Sequence, residues 1–309
     1  PRMTLYLPNT TTAAITEALM AERHSVGGGA MNMVLTLVIV TDEADHYDAV
    51  RAATEAGHEH PSRVVALIRR DPRAEPAIDA EIRRPGTSGP GEAVLLRLYG
   101  PLGEHPDSVI TPLLVPDAPV VAWWPGAGPT DPGSDPVGRL AQRRITDALR
   151  AQDPLRDLQE RIEHYTPGDT DLSWTRLTPW RSLLASAMDQ PCGWVTSARV
   201  TAEEHYPSAD LMAAWLTDRL AVTVERAVSD GPGLTEVRLT TDHGDVALTR
   251  VDGRVATLSR PGQPDQTVAL ERRGAAMALA EELRRLDADE TYASAARQLG
   301  SSLAGSGAQ

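Results

Sequence analysis

The chain has 309 residues, enough for two domains with separate cores, and its 41% apolar and 24% charged residues fit a folded chain rather than a disordered one. A formal net charge of −13, with basic residues scattered or paired as in Arg69-Arg70 and Arg143-Arg144, argues against nucleic acid as a partner. A single cysteine, Cys192, excludes an intramolecular disulfide and a cysteine-built zinc site.

Lysine is absent, so all thirty Lys/Arg positions are arginine, and each such cationic contact is a planar guanidinium suited to bidentate pairing. The N-terminus shows no charged segment leading into an apolar one. Pro1-Arg2 ahead of Met3 reads as a remnant before a native start. The apolar run around Leu37–Val40 is too short to cross a membrane, and a cytoplasmic location is expected.

In chain order, Leu5–Leu7 reads as a short strand and residues 11–24 as a helix with Ile15, Ala18 and Leu19 on one face, ended by Gly27-Gly28-Gly29. Met33–Val40 is a near-continuous apolar run, the pattern of a strand buried on both faces. A helix over 42–56 and a strand over 63–68 follow, then strands over 79–83 and 93–98, a helical stretch over 107–114 and an apolar strand over 120–124. Residues 127–136 form a Pro/Gly/Asp loop, 139–159 read as helical or mixed, and Tyr165–Asp171 reads as a turn.

Thr178-Pro179 opens a helix carrying Trp180, Leu183, Leu184, Ala187 and Met188. Pro207–Leu220 is a further helix. Strand-like runs over 235–241, 246–251, 255–259 and 267–271 are separated by Asp242-His243-Gly244, Asp252-Gly253 and residues 261–264, the signature of an antiparallel meander. Two closing helices carry Leu279, Leu283 and Leu286, then Tyr292, Ala295, Ala296 and Leu299.

The expected architecture is an α/β domain over residues 3–165, mostly parallel sheet with flanking helices, and an α+β domain over 166–299 containing the meander. A disordered Ser/Gly/Ala-rich tail is expected over 300–309.

No motif assembles a catalytic site. Gly27-Gly28-Gly29 precedes a strand, whereas phosphate loops follow one. Gly126-Ala127-Gly128 follows a strand, but the third glycine of a dinucleotide fingerprint falls on Asp131. His58-Glu59-His60 lacks helical ligand spacing, and Ser62, Ser108 and Ser182 lack a nucleophile-elbow context. Cys192 has only Arg199 nearby to activate it. No cofactor and no metal are expected.

Six tryptophans against no phenylalanine are the unusual feature. Trp123-Trp124 ends a strand, where adjacent side chains point to opposite faces. Either one indole is exposed there, or both are buried between helix layers. Tryptophan beside arginine is a common composition of interface hot spots. The candidate partner-binding residues are therefore Trp123, Trp124, Arg144, Trp174, Arg176, Trp180 and Arg181, which carry a contact or shape it; the bland alternative is a purely structural role.

Residues 34–41 (VLTLVIVT), 60–63 (HPSR), 96–101 (LRLYGP), 116–125 (PDAPVVAWWP), 135–147 (DPVGRLAQRRITD), 167–181 (PGDTDLSWTRLTPWR) and 255–264 (VATLSRPGQP) occur in order. Together they closely resemble the OpcA family, glucose-6-phosphate dehydrogenase assembly proteins, in its actinobacterial form, over about residues 3–298. The resemblance implies a non-enzymatic partner that binds the dehydrogenase and promotes its active oligomer in the oxidative pentose phosphate pathway, with no catalytic residues to carry over. Some members in photosynthetic bacteria are linked to redox control, a scheme the single cysteine does not fit. The alternative expectation is a sugar-phosphate-binding sensor or enzyme using the N-terminal α/β domain.

Overall fold

The computed structural model describes residues 4–25, 35–59, 62–83, 92–189 and 192–306. Gly27-Gly28-Gly29, His60 and the first residues of the expected strand at 33–34 lie outside them. The chain forms two compact units. The first comprises Pro1–Asp147, Gly168–Thr170 and Ala275–Ala288; the second comprises Ala148–Pro167, Asp171–Gly274 and Asp289–Gln309.

The first unit is built from β1 (Thr4–Leu7), α1 (Thr12–Ser25), β2 (Leu35–Asp42), α2 (His46–Ala56), β3 (Ser62–Arg69), β4 (Ala77–Arg83), β5 (Ala93–Tyr99), α3 (Pro106–Ile110), β6 (Val120–Trp123) and β7 (Arg143–Thr146). In the chain order of the whole protein, α4 (Pro154–Glu163) comes next and belongs to the second unit. The eight-stranded sheet has the order β1-β4-β5-β3-β2-β6-β7-β8, with β8 at Asp169–Asp171. From β5 to β7 the neighbours are parallel; β4 pairs antiparallel with β5, and β1 with β4.

β2 and β3 are buried at every position but their last, as parallel strands covered on both faces must be. One face packs Val38, Val40, Leu67 and Leu96 against Ile15 and Leu19 of α1 and Val109 and Ile110 of α3. α2 packs on β2 and β3, with α8 (Ala275–Glu282) beside it. Outward from β2, strand order runs β3 then β5 on one side and β6 then β7 on the other. This doubly wound reversal leaves a crevice at the carboxyl ends of the strands, where open α/β sheets take their ligands.

β7 is a strand where helical or mixed structure is expected, and β8 lies within the expected turn. The sequence Arg143-Arg144-Ile145-Thr146 hides an edge strand because its two arginines are buried by specific partners. Arg143 donates to Glu282 Oε2 at 2.5 Å and to Arg285 O at 2.7 Å. Arg144 donates from Nε to Asp169 Oδ1 and from Nη1 to Ala141 O at 3.0 Å. Gly168, at φ +101°, is needed beside this pair: a Cβ there would sit 2.4 Å from Gln142 O.

The second unit continues from α4 with α5 (Leu172–Thr175), α6 (Thr178–Met188), β9 (Val195–Ala202), α7 (Pro207–Leu220), β10 (Val224–Val228), β11 (Leu234–Thr241), β12 (Gly244–Arg250), β13 (Val255–Ser259), β14 (Gln266–Ala269) and α9 (Glu290–Ser306). Its sheet order is β10-β9-β11-β12-β13-β14. The expected meander is present as β11 to β14, all antiparallel. Asp252-Gly253 turns one hairpin: Gly253 takes φ +75°, and Asp252 Oδ1 accepts from Arg254 N at 2.9 Å and Val255 N at 3.0 Å. Those amides hold the Asp252 carboxyl below its ordinary range.

β9 and β10 were not apparent as strands from the sequence; they pair parallel through α7. One sheet face buries Val200, Val237, Leu239, Val246 and Leu248 against α4 to α7 and α9. The other face carries charged pairs, such as Arg199 with Glu225 at 2.9 Å and Arg238 with Glu236 at 3.0 Å. α9 continues to Ser306, past the expected start of a disordered tail. Gly300 lies against Ile162, and Ser301 and Ser302 hydroxyls bond back to the carbonyls of Arg297 and Gln298. No helix among the described residues is long and apolar enough to cross a membrane.

Candidate functional site

The crevice of the first unit begins at the carboxyl end of β2. In a dinucleotide-binding fold, the loop from this central strand is glycine-rich and offers helix N-terminal amides to a pyrophosphate. Here the loop reads Asp42-Glu43-Ala44-Asp45, without glycine. Asp42 Oδ1 itself accepts from the amides of Ala44 at 3.0 Å and Asp45 at 3.1 Å. A carboxylate of the chain thus takes two amides of this loop, and Glu43, Asp45 and Asp48 add like charge to a phosphate placed at the start of α2. On the far side of the switch point, Gly126 approaches so closely that a Cβ would lie 2.9 Å from Asp45 Oδ2.

What remains open is a cavity of about 470 Å³ on the β3–β5 side, lined by Asp42, Arg69, Arg70, Glu104 and Asp135 among others. Glu43 accepts from Arg70 at 2.6 Å and lies 3.7 Å from Arg97. Burial raises the Glu43 pKa, but the Arg70 hydrogen bond and charge, with His46 and Arg97, outweigh it and hold the carboxyl below its ordinary value. The same contact raises the Arg70 guanidinium.

The seven candidate partner-binding residues divide between the units. Trp123, Trp124 and Arg144 belong to the first; Trp174, Arg176, Trp180 and Arg181 to the second. Trp123 is 1% exposed and Trp124 0%, so both indoles of the pair are buried, with Trp124 in the α1 and α3 face of the core. Their Nε1 atoms have no hydrogen-bond partner among the described residues. Arg144 is buried against Asp169.

In the second unit the structure brings three of the four into direct stacking arrangements. The Arg181 guanidinium lies 3.8 Å over the Trp174 ring, and Trp174 packs beside Tyr292. Trp180 lies beneath the buried Arg250, 4.9 Å from its ring centre. Arg176 is half-buried where α5 meets α6. Cys192 is buried in the same core, 3.4 Å from Met188 Sδ.

The exposed indole is Trp194, 83% accessible, which the sequence does not distinguish from the others. Its backbone is fixed although its ring is free. Trp194 N donates to Asp242 Oδ1 at 2.8 Å, Asp242 N donates back to Trp194 O at 3.3 Å, and Thr241 Oγ1 donates to Cys192 O at 2.6 Å. Gly193, at φ +85°, permits this approach, since a Cβ would sit 2.0 Å from Asp242 Oδ1. The one available signal is the glycine immediately before Trp194, which marks a tight turn at a strand start.

The fold defines a doubly wound α/β unit whose β2 loop is not glycine-rich among the described residues, joined to an α+β unit. The glucose-6-phosphate dehydrogenase subunit N-terminal domain matches residues 53–163, and the C-terminal domain of the same subunit matches residues 167–296. The chain belongs to the OpcA family of glucose-6-phosphate dehydrogenase subunit and assembly proteins.

A Synechocystis sp. protein named as an OxPP cycle protein OpcA is 28% identical over 157 residues, covering 47% of this chain and 32% of that protein. The chain thus matches about a third of the length of that curated relative. Among solved structures, a 3-ketoreductase from Actinomadura kijaniata is similar at 11% identity and a TM-score of 0.49, over 87% of this chain and 96% of that one. A biliverdin reductase from Synechocystis sp. follows at 10% identity and 0.47, over 87% and 98%. Neither likeness bears on function.

Proposed function

We propose that this chain is a non-catalytic, cytoplasmic partner of glucose-6-phosphate dehydrogenase that binds the enzyme and favours its active oligomeric state in the oxidative pentose phosphate pathway. The observation that carries the reading is the pair of subunit-domain matches running through both halves of the chain. The glycine-free Asp42–Asp45 loop, two of whose amides are taken by Asp42 itself, supports the non-catalytic half of it.

The mechanism is linkage. The chain binds the active form of the dehydrogenase better than the inactive form and shifts the equilibrium by that difference. A tenfold activation needs about 1.4 kcal/mol of differential binding. The buried positions Trp123, Trp124, Arg144, Trp174 and Trp180, with Arg176 and Arg181, shape the contact surface in this reading. The anchored, exposed Trp194 presents a ring to the partner, as interface hot spots do.

Co-purification with the cognate dehydrogenase, followed by mass and activity measurements with and without this chain, tests the proposal. A complex of higher mass and higher activity is expected. A dehydrogenase unchanged in mass and activity at saturating chain would sink it.

A further inference from the structure

One cation of the crevice has nothing to hold. Arg69, the last residue of β3, lines the cavity and has no side-chain hydrogen bond or ion pair among the described residues. Its neighbour Arg70 is engaged by Glu43 at 2.6 Å. The carboxylates around the cavity are differently placed. Asp42 and Asp135 each direct one oxygen to backbone amides, Asp135 Oδ1 accepting from Val137 N at 2.9 Å and Gly138 N at 3.1 Å. Each keeps a second oxygen. Glu104 has no side-chain partner among the described residues. Pro72, Pro106 and Pro136 stiffen the walls.

One free guanidinium beside three carboxylates selects a particular chemistry. Inorganic phosphate would gain Arg69 but bring no hydroxyls of a sugar to donate to the three carboxylates. A neutral sugar would leave the guanidinium unused. A dinucleotide would bring its pyrophosphate onto Asp42. A molecule with one phosphomonoester and several hydroxyls satisfies both sets: the phosphate pairs with Arg69, and the hydroxyls donate to Asp42, Glu104 and Asp135. A cavity of about 470 Å³ lies within the usual range for small-ligand sites. We propose that the crevice formed by Arg69, Asp42, Glu104 and Asp135 binds a phosphorylated sugar, which makes the first unit a ligand-sensing domain.

Calorimetry on the full chain alone tests this, with glucose 6-phosphate, 6-phosphogluconate, glucose, inorganic phosphate and NADP as probes. Saturable binding of a sugar phosphate is expected, at least tenfold tighter than glucose or inorganic phosphate. Arg69→Ala is expected to weaken it at least tenfold without moving the thermal midpoint, and Glu104→Gln to weaken it less. Three results would overturn the proposal: no saturable binding of either sugar phosphate, equal affinity for inorganic phosphate or NADP, or undiminished binding in both variants. The dehydrogenase is absent from the titration, so the result is read independently of complex formation. An Arg69→Ala chain that still activates the enzyme leaves the partner role standing.

Discussion

The indole Nε1 of Trp174 donates to Asp289 Oδ2 at 2.9 Å, while Asp289 Oδ1 accepts from the amides of Thr291 and Tyr292, each at 2.9 Å. One carboxylate therefore anchors the buried ring on α5 and caps the first turn of α9. Replacing Asp289 by alanine removes a cap, worth about 1 kcal/mol, and leaves a buried indole N–H unpaired, at about 1–3 kcal/mol. A loss of about 2–4 kcal/mol in urea unfolding is expected, with Asp289→Asn nearer to wild type. An alanine variant within about 0.5 kcal/mol of wild type would contradict the dual role.

Arg250 is 3% exposed and its cationic head, among the described residues, bonds to two backbone carbonyls, Leu270 O at 2.9 Å and Leu234 O at 3.0 Å. Burial pushes its pKa down from the ordinary arginine value. The residue ties the start of β11 to the segment after β14 and rests on Trp180. Arg250→Ala strands two carbonyls and bares the ring, so a destabilisation of about 3 kcal/mol is expected. Arg250→Met keeps the packing volume but not the hydrogen bonds and is expected to fall between; equal losses for both variants would place the whole effect on the carbonyls.

Trp194 and Trp124 separate contact from structure. Trp194→Ala is expected to leave the thermal midpoint within about 1 °C and to weaken binding of the dehydrogenase at least tenfold, or about 1.4 kcal/mol. Trp124→Ala empties a fully buried site and is expected to cost about 3–5 kcal/mol of stability. A Trp194→Ala chain that activates normally removes that ring from the contact. A folded Trp124→Ala or Arg176→Ala chain that activates normally removes those residues from any role in shaping it.

Glu43 gives a pH signature. Its folded pKa lies below the ordinary value of 4.5. The stabilisation it gains from Arg70 is therefore present above that value and is lost as pH falls through the lower, folded one. The difference in urea midpoint between wild type and Glu43→Gln is expected to be largest near neutrality and to close below about pH 4. The pair is half exposed, so the difference is small and shrinks in 1 M salt. A gap that widens on acidification would contradict the assigned pairing.

What the sequence revealed followed how each element meets solvent. β2 and β3 are continuous apolar runs because both faces are covered, and β11 to β14 announce themselves through glycine turns and alternation. β7 was illegible because half of it is arginine. The chain has no lysine, so guanidinium groups do buried work at Arg63, Arg143, Arg144, Arg161 and Arg250 as well as surface work. β9, in Val195–Ala202, alternates too weakly to stand out, since its outer face is threonine, serine and arginine. The same use of arginine obscured the candidate site. Trp174 and Arg181 lie seven residues apart and stack in space, but their stacking faces the core, whereas the freely displayed indole, Trp194, has no arginine next to it in the chain.

The first unit is made of three stretches of chain, the last of them Ala275–Ala288. During synthesis, most of its sheet leaves the ribosome long before α8 does, and Arg143 must wait for Glu282, 139 residues downstream, to meet its charge. A nascent or truncated protein ending near residue 165 would therefore carry a buried arginine with no counterion and an α2 surface with nothing packed on it. The unit whose translation starts first is closed only after most of the second has been made, so a nonsense mutation anywhere before residue 288 is expected to compromise both units.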